Sequence, residues 1–98
     1  MGQSNLILDL RSYSGETRAH HHDYHQLVLP VEGRLAMQIG EQAGDVSNAE
    51  LALISAGKDH QFAGSEKNCF VVADVPPSLA PELEKLPAFI KLDMVRRR

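Results

Sequence analysis

Histidines are concentrated in one short internal segment of the chain, Ala19–Gln26, whose sequence is AHHHDYHQ. The remaining histidine, His60, follows much later. Neutral imidazole is the commonest protein ligand of divalent transition metals, and it also hydrogen-bonds organic ligands. The segment is internal and flanked by strand-like sequence, so it is not an expression tag. These histidines are therefore the first candidates for chemistry.

An extended strand would divide this segment between two faces, because successive side chains of a strand point in opposite directions. One face carries the even-numbered side chains, namely His20, His22, Tyr24, Gln26 and Val28. The other face carries His21, Asp23 and His25, and we expect His21 and His25 to form a polar surface patch. The even-numbered face is therefore the candidate functional face.

The spacing of His20, His22 and His60 predicts a metal site. Two histidines two residues apart in a strand hold their imidazoles side by side, and His60 from a neighbouring strand completes a facial set of nitrogens. The Gln26 side chain adds a carbonyl oxygen. The predicted ligands of one divalent transition metal are therefore His20, His22, Gln26 and His60, with zinc, nickel, iron and manganese not distinguished. This uncharged set leaves the charge of the ion uncompensated, which lowers the predicted affinity.

The alternative is a pocket in which the same polar side chains hydrogen-bond an organic ligand directly. Tyr24 joins the histidines at its polar end, and the predicted apolar walls are Val28, Met37 and Phe62. Such a pocket suits a compact apolar body that carries one anionic or hydroxyl group. No catalytic residue is assigned, because Asp23 falls on the opposite face and Glu32 lies in a turn.

The elements that must hold these side chains are short strands. Apolar runs alternate with turn signals at close spacing, which is typical of an all-β sandwich or barrel. Leu6–Leu10 opens as a strand, and a long extended segment, Thr17–Val31, carries the histidines. Pro30 in that segment predicts an edge position or a bulge, because proline cannot donate to a ladder. Glu32-Gly33 then forms a tight turn into a strand, Arg34–Ile39, whose apolar residues alternate with polar ones.

The segment after the predicted strands has helix signals. Pro76-Pro77 ends the sheet region, and Ser78 is a plausible cap for a helix over Leu79–Leu86 that begins near Pro81. The segment Ala88–Met94 is predicted to pack as a second short helix. The expected architecture is one domain, residues 1–98, with a barrel over about 6–75 and a helical tail over about 78–95.

The histidine segment and the second histidine motif together resemble the cupin family. The first cupin motif is matched by Gly15, His20, His22, Gln26 and Gly33, and the second by Gly57 and His60. The resemblance implies a small antiparallel jelly-roll β-barrel, and it implies metal ligands at the four positions derived above. The family usually has glutamate where this chain has Gln26.

Three further segments resemble the amino-terminal sensor domain of AraC-type transcription regulators, namely His22–Leu29, Glu32–Leu35 and Leu53–His60. The resemblance implies a ligand-sensing domain that binds a small molecule, with or without a metal. The alternative is a small stand-alone metal-dependent enzyme of dioxygenase or isomerase type. We favour the sensor over the enzyme chiefly on this resemblance, and also because no acid/base carboxylate is predicted to face inward.

Composition limits the partners of the chain. It has 98 residues and a formal net charge of −3, so we expect no nucleic-acid binding by this chain alone; in the regulators, separate helix-turn-helix units bind DNA. No apolar run approaches the roughly 18–20 residues of a membrane span, and no secretory signal is present, so we expect a cytoplasmic protein. Cys69 is expected to be a buried, inert thiol. The apolar tail predicts a homodimer.

Overall fold

Alternating apolar and polar residues produce strand β4 (Arg34–Ile39). Its side chains at Leu35, Met37 and Ile39 are buried, and the residues between them are exposed. The strand therefore lies with one face on the core and one in solvent, as the alternation predicts.

The computed structural model describes residues 5–13, 15–16, 19–47, 50–64 and 67–91 of the chain. The other strands within these ranges are β1 (Ile7–Arg11), β2 (Gly15–Glu16), β3 (His25–Glu32), β5 (Gln42–Ser47), β6 (Glu50–Ile54), β7 (His60–Gly64), β8 (Cys69–Val75) and β9 (Phe89–Lys91). A 3₁₀ helix spans Pro81–Lys85.

The strands form two antiparallel sheets. One has the order β1-β8-β3-β6-β9, and the other has the order β2-β7-β4-β5. Their inner faces enclose a core that includes Val28, Leu35, Met37, Val46, Ile54, Phe70 and Val72. The predicted all-β jelly-roll is confirmed.

A bulge in β3 accommodates Pro30. This strand lies inside its sheet, between β8 and β6, yet β6 pairs with Gln26–Val28 only. The register with β8 shifts between Pro30 and Glu32. The missing N–H of proline is thus placed where the ladder is already interrupted, and the predicted bulge is confirmed. Gly33 follows with a φ of 81°, and a Cβ there would overlap the backbone of Lys67.

The predicted helix over Leu79–Leu86 is wrong. The 3₁₀ helix begins after Ala80, which makes no side-chain capping bond, so Ser78 does not cap it. Pro81 and Pro87 leave too short a segment to repay the nucleation of an α-helix. Within the described ranges, no helix has the length and apolar character needed to cross a membrane.

The predicted second helix at Ala88–Met94 is also wrong over its described part. Phe89–Lys91 instead forms β9, which pairs with β6 and places Phe89 opposite Ala52. The Phe89 ring packs against the core, where a Cβ on Gly44 would lie 3.0 Å from it. The segment does bury apolar surface, but as a strand added to the larger sheet. Residues 92–94 lie outside the described ranges.

Cys69 opens β8 and is a free, half-buried thiol, which is more exposed than the sequence predicts. It pairs with Glu32, just beyond the bulge in β3, so the strand around it is less tightly covered. Its exposure reflects that position at the end of the ladder.

Candidate metal centre

Three imidazole rings converge at one end of the smaller sheet. The candidate ligand nitrogens of His20, His22 and His60 all lie within 4.8 Å of one another. The ring centroid of His20 is 4.2 Å from that of His60 and 4.9 Å from that of His22, and the His22 and His60 centroids are 5.0 Å apart. Three nitrogens at this separation can bind one divalent ion on one side and leave its other positions open.

Backbone hydrogen bonds bring these rings together. His60 pairs with the buried Ile39 of β4, so both side chains face inward. His20 forms an isolated antiparallel bridge with His60 through bonds of 3.0 and 2.8 Å. The Gly57 N–H donates to the His22 carbonyl at 2.7 Å. The predicted single strand over Thr17–Val31 is wrong, because β3 begins only at His25, and these loop contacts replace it.

The Nε2 atom of His60 has a lone pair that can bind a ligand. Its Nδ1 lies 3.2 Å from the Lys58 carbonyl, which can only accept, so Nδ1 carries the proton. Its Nε2 is therefore an acceptor, and within the described residues this buried atom has no hydrogen-bond partner. A buried polar atom without a partner costs free energy, and a metal ion at this atom would remove that cost. A backbone carbonyl that fixes the tautomer is also typical of metal-binding histidines.

Electrostatics keep this ring neutral. The pKa of His60 is lowered to about 4, chiefly by burial and also by the nearby His20 and His22, against the opposing effect of the Lys58 carbonyl. Burial also lowers the pKa of His22, with His20 contributing. Two of the three rings are thus held in the form that binds metals at neutral pH. The residues present therefore fit a divalent transition metal.

Gln26 faces the barrel interior and contacts a carboxylate. Its Nε2 donates to Oδ1 of Asp74 at 2.8 Å, directly across the pairing of β3 with β8. Both side chains are buried, with Gln26 3% and Asp74 7% exposed. The amide oxygen of Gln26 is not used in this bond. Its role as a metal ligand remains a prediction.

The expectation that no carboxylate faces inward is wrong. Asp74 shares the inner face of β8 with Phe70 and Val72, and its Oδ2 lies 3.9 Å from Nη2 of Arg11. The sequence pattern indicates this position, because Asp74 follows Phe70 and Val72 at alternating positions of an apolar run and so shares their face. Its carboxylate also raises the pKa of His22, against the larger lowering by burial.

Two of the four predicted ligand-binding residues adjoin the histidines. The Tyr24 ring stacks on the His22 ring at 4.7 Å with an interplanar angle of 8°. The Phe62 ring centroid lies 6.1 Å from that of His20 and 6.4 Å from that of His60. Val28 and Met37 are instead packed in the core, 1% and 3% exposed. Of the predicted apolar walls, Phe62 is therefore the one beside the histidine rings.

The two histidines of the opposite face differ. His21 is exposed, and its Nδ1 lies 3.2 Å from Oδ1 of Asp59. His25 is fully buried, so its predicted surface position is wrong. Its Nδ1 accepts a hydrogen bond of 2.9 Å from the Ala56 N–H. The loop after β6 covers this face of the sheet and removes His25 from solvent.

Two surface cavities lie apart from the histidines. One of about 500 Å³ lies against β4, β5 and β7, and its lining includes the predicted ligand-binding residues Met37 and Phe62 as well as Gln38, Asp45 and Gln61. Another of about 390 Å³ lies between the turn at Gly40 and the tail around Leu86. Neither is lined by a histidine of the cluster.

Comparison with known proteins gives one curated relative and several structures. No protein-family model matches the chain. It is 30% identical over 61 residues to the "probable transcriptional regulator LumQ" of Photobacterium leiognathi, a match that covers 62% of this chain and 25% of that protein. The chain thus spans about a quarter of the length of this relative.

Solved structures share the fold at low sequence identity. A cupin-2 domain protein from Shewanella frigidimarina has a TM-score of 0.66 at 20% identity, covering 76% of this chain and 74% of that one. A cupin superfamily protein from Desulfitobacterium hafniense has a TM-score of 0.65 at 18% identity, covering 76% and 72%. Oxalate decarboxylase from Bacillus subtilis, in a structure concerned with its Mn(II) centers, has a TM-score of 0.63 at 16% identity, covering 96% and 26%. Together with the two antiparallel sheets, these likenesses show that this chain has the cupin fold.

Proposed function

We propose that this chain is a ligand-sensing cupin domain of the AraC-type regulator class, which holds a divalent transition metal at His20, His22 and His60. The observation that carries the metal site is the buried Nε2 of His60. It has no hydrogen-bond partner among the described residues, and it belongs to a cluster of three histidines whose candidate ligand atoms lie within 4.8 Å of one another. Gln26 is the proposed fourth ligand.

The regulatory role is supported by the likeness to LumQ, whose name describes a probable transcriptional regulator. Only a quarter of that protein matches this chain, so DNA binding is proposed for other parts of such a regulator. The net charge of −3 agrees with that division, because a DNA-binding surface requires basic residues.

The site would recognise a small molecule through few groups. An ion held by the three histidines would supply open coordination positions for an anionic or hydroxyl group. Tyr24 can hydrogen-bond the same molecule through its hydroxyl, and its ring is held by stacking on His22. Burial raises the pKa of Tyr24, so it remains a neutral donor at physiological pH.

A second candidate function is a metal-dependent enzyme, favoured by the buried carboxylate of Asp74. Catalysis of proton transfer needs such a group near the substrate. Both oxygens of Asp74 already have neighbours, since Gln26 donates to Oδ1 and the Arg11 guanidinium lies near Oδ2. The carboxylate is thus engaged structurally, and the sensor remains our first proposal.

Metal uptake tests the site directly. Chelator-treated protein is dialysed against zinc, nickel, iron or manganese, and bound metal is measured by elemental analysis. We expect about one ion per chain, with loss of uptake in His60→Ala and retention in His21→Ala, whose ring is exposed. No uptake of any of these ions, or equal loss in both variants, contradicts the metal site.

Ligand screening then separates sensor from enzyme. The metal-loaded protein is screened by thermal shift with compact carboxylates and alcohols, and each hit is incubated and analysed for conversion. A sensor returns its ligand unchanged, whereas steady turnover would replace the sensor with the enzyme.

A further inference from the structure

Strand β1 exposes a row of large apolar side chains at the edge of the larger sheet. Leu8 and Leu10 of this strand are 66% and 65% exposed, Ile7 on its other face is 46% exposed, and Leu6 just before the strand is 52% exposed. Within the described residues β1 pairs with β8 on one side, and it ends the strand order of its sheet. An apolar edge strand of this kind is a template for pairing with another strand.

One hydrogen bond identifies the backbone groups on the open edge. The Leu10 N–H donates to Oδ1 of its neighbour Asp9 at 2.9 Å, so it is not engaged with β8. In an antiparallel ladder, residues bonded to one neighbour alternate with residues that face away from it. Leu8 and Leu10 therefore present their backbone groups to the open edge.

The side chains of β1 divide between the two faces of the sheet. Leu8 and Leu10 project from the outer face, in rows with Ala73 and Val71 of β8. Asp9 and Arg11 project from the other face, where Oδ2 of Asp9 lies 3.1 Å from Nε of Arg11. Both charged side chains remain partly exposed, 54% and 37%. Arg11 also lies near Oδ2 of Asp74, and its guanidinium has enough donors to keep that contact while it pairs with a second carboxylate.

We propose that β1 is a homodimer interface, in which two copies pair antiparallel about a twofold axis at Leu10. Leu10 then lies opposite the partner's Leu10, and the two residues exchange both backbone hydrogen bonds. Asp9 lies opposite the partner's Arg11, and its carboxylate releases the Leu10 N–H to the partner's carbonyl. The exposed leucines of both copies meet around the axis on the outer face.

Charge complementarity selects this register. An axis at Asp9 would oppose two carboxylates, and an axis at Arg11 would oppose two guanidinium groups, both unfavourable arrangements on one sheet face. An axis at Leu8 would place Asp9 opposite Ile7 and form no ion pair. The axis at Leu10 forms two Asp9–Arg11 pairs and is the register in which the charges of β1 complement each other.

Disulfide trapping tests both the strand and its register. In a Cys69→Ala background, Leu10→Cys should form an intermolecular disulfide on mild oxidation, because hydrogen-bonded antiparallel pairs have Cα atoms about 5.5 Å apart, within disulfide range. Leu8→Cys is the matched control. With the axis at Leu10, position 8 of one copy and position 8 of the other are four residues apart along the strands, which is more than about 13 Å. Trapping of Leu8→Cys instead, or of neither variant, overturns the proposal.

Reversing the charge at Asp9 or at Arg11 gives an independent test, in which sedimentation velocity measures the oligomeric state. The unmodified chain should sediment as a dimer, whereas Asp9→Arg and Arg11→Asp should each sediment as monomers. An equimolar mixture of the two should form a heterodimer, because each strand then carries two like charges that meet the opposite charges of the other. A monomeric unmodified chain, as expected if another part of the chain covers β1, or variants that remain dimeric, overturns the proposal. Circular dichroism checks that Arg11→Asp folds. If it does not fold, the comparison of Leu10→Cys with Leu8→Cys decides whether the proposed interface is correct.

Discussion

The side-chain amide of Gln26 donates to the carboxylate of Asp74 at 2.8 Å, and both groups are buried between β3 and β8. This bond orients the amide, because its nitrogen must point toward Asp74 and its oxygen elsewhere. Asp74 also brings a negative charge into the barrel at a position next to the predicted ligand. The amide and the carboxylate therefore act as a pair.

Gln26→Glu tests that pairing. Placing a second carboxylate against Asp74 makes the two groups share a proton, so we expect little gain in metal affinity at pH 7. Combining Gln26→Glu with Asp74→Asn moves the charge to position 26, and metal binding should tighten by about tenfold or more. Isothermal titration calorimetry measures both, with Asp74→Asn as the control. A single variant that binds as tightly as the double variant contradicts the pairing.

The contrast between His25 and His21 predicts unequal stability losses. His25→Ala leaves a cavity and an unpaired Ala56 N–H, so the free energy of unfolding should fall by about 2–4 kcal/mol. His21→Ala removes an exposed contact with Asp59 and should change it by less than about 1 kcal/mol. Urea denaturation measures both values. Equal effects would mean that the His25 bond contributes little.

The sequence predicts the fold well where the residue pattern of one strand is enough to show which of its faces is buried. Leu35, Met37 and Ile39 alternate with polar residues, and one face of β4 is buried as predicted. His20, His22 and His60 converge as expected, but loop contacts bring them together, whereas the prediction assumed alternation along one long strand.

Sequence reasoning fails where burial depends on distant segments. His25 is buried because the loop around Ala56 covers its face of the sheet. The residues next to His25 in the sequence do not indicate this, because the loop lies 31 residues away. Phe89 joins a strand rather than a helix because β6 offers it an open edge. Asp74 alternates with the buried Phe70 and Val72 and so shares their face, yet a carboxylate is rarely buried without a partner, and its partners Gln26 and Arg11 lie on distant strands.

The lowered pKa of His60 predicts acid sensitivity of the metal-free protein. Its folded-state pKa of about 4 lies below the ordinary value of 6.5, so between these pH values the unfolded chain binds a proton that the folded chain does not. The free energy of unfolding should therefore fall by about 2–3 kcal/mol as pH drops through this window, and level off below it. Urea titrations from pH 7 to 4 measure the slope. His60→Ala should flatten it and His21→Ala should not.

The packing of Phe89 predicts that β9 stabilises the barrel. Phe89→Ala removes a ring that contacts Gly44 and the core, and it should lower the free energy of unfolding by about 2–4 kcal/mol. Leu86→Ala is the control, since Leu86 is 47% exposed and should change little. Thermal or urea unfolding distinguishes them. A negligible effect of Phe89→Ala would place β9 outside the cooperative unit.

Tyr24 provides the last prediction, because its ring and its hydroxyl have separable roles. The ring stacks on His22, so Tyr24→Phe should preserve the histidine cluster and its metal uptake. The hydroxyl is the proposed donor to a small-molecule ligand, and its loss should weaken binding of a thermal-shift hit by roughly tenfold, the value of one hydrogen bond of about 1–1.5 kcal/mol. Tyr24→Ala removes the stacking as well and should weaken both metal and ligand binding. Titration of the metal first and the ligand second, on all three proteins, separates the two effects. If Tyr24→Phe binds the ligand as tightly as the unmodified chain, the hydroxyl does not contact it, and recognition must then depend on the open coordination positions of the metal.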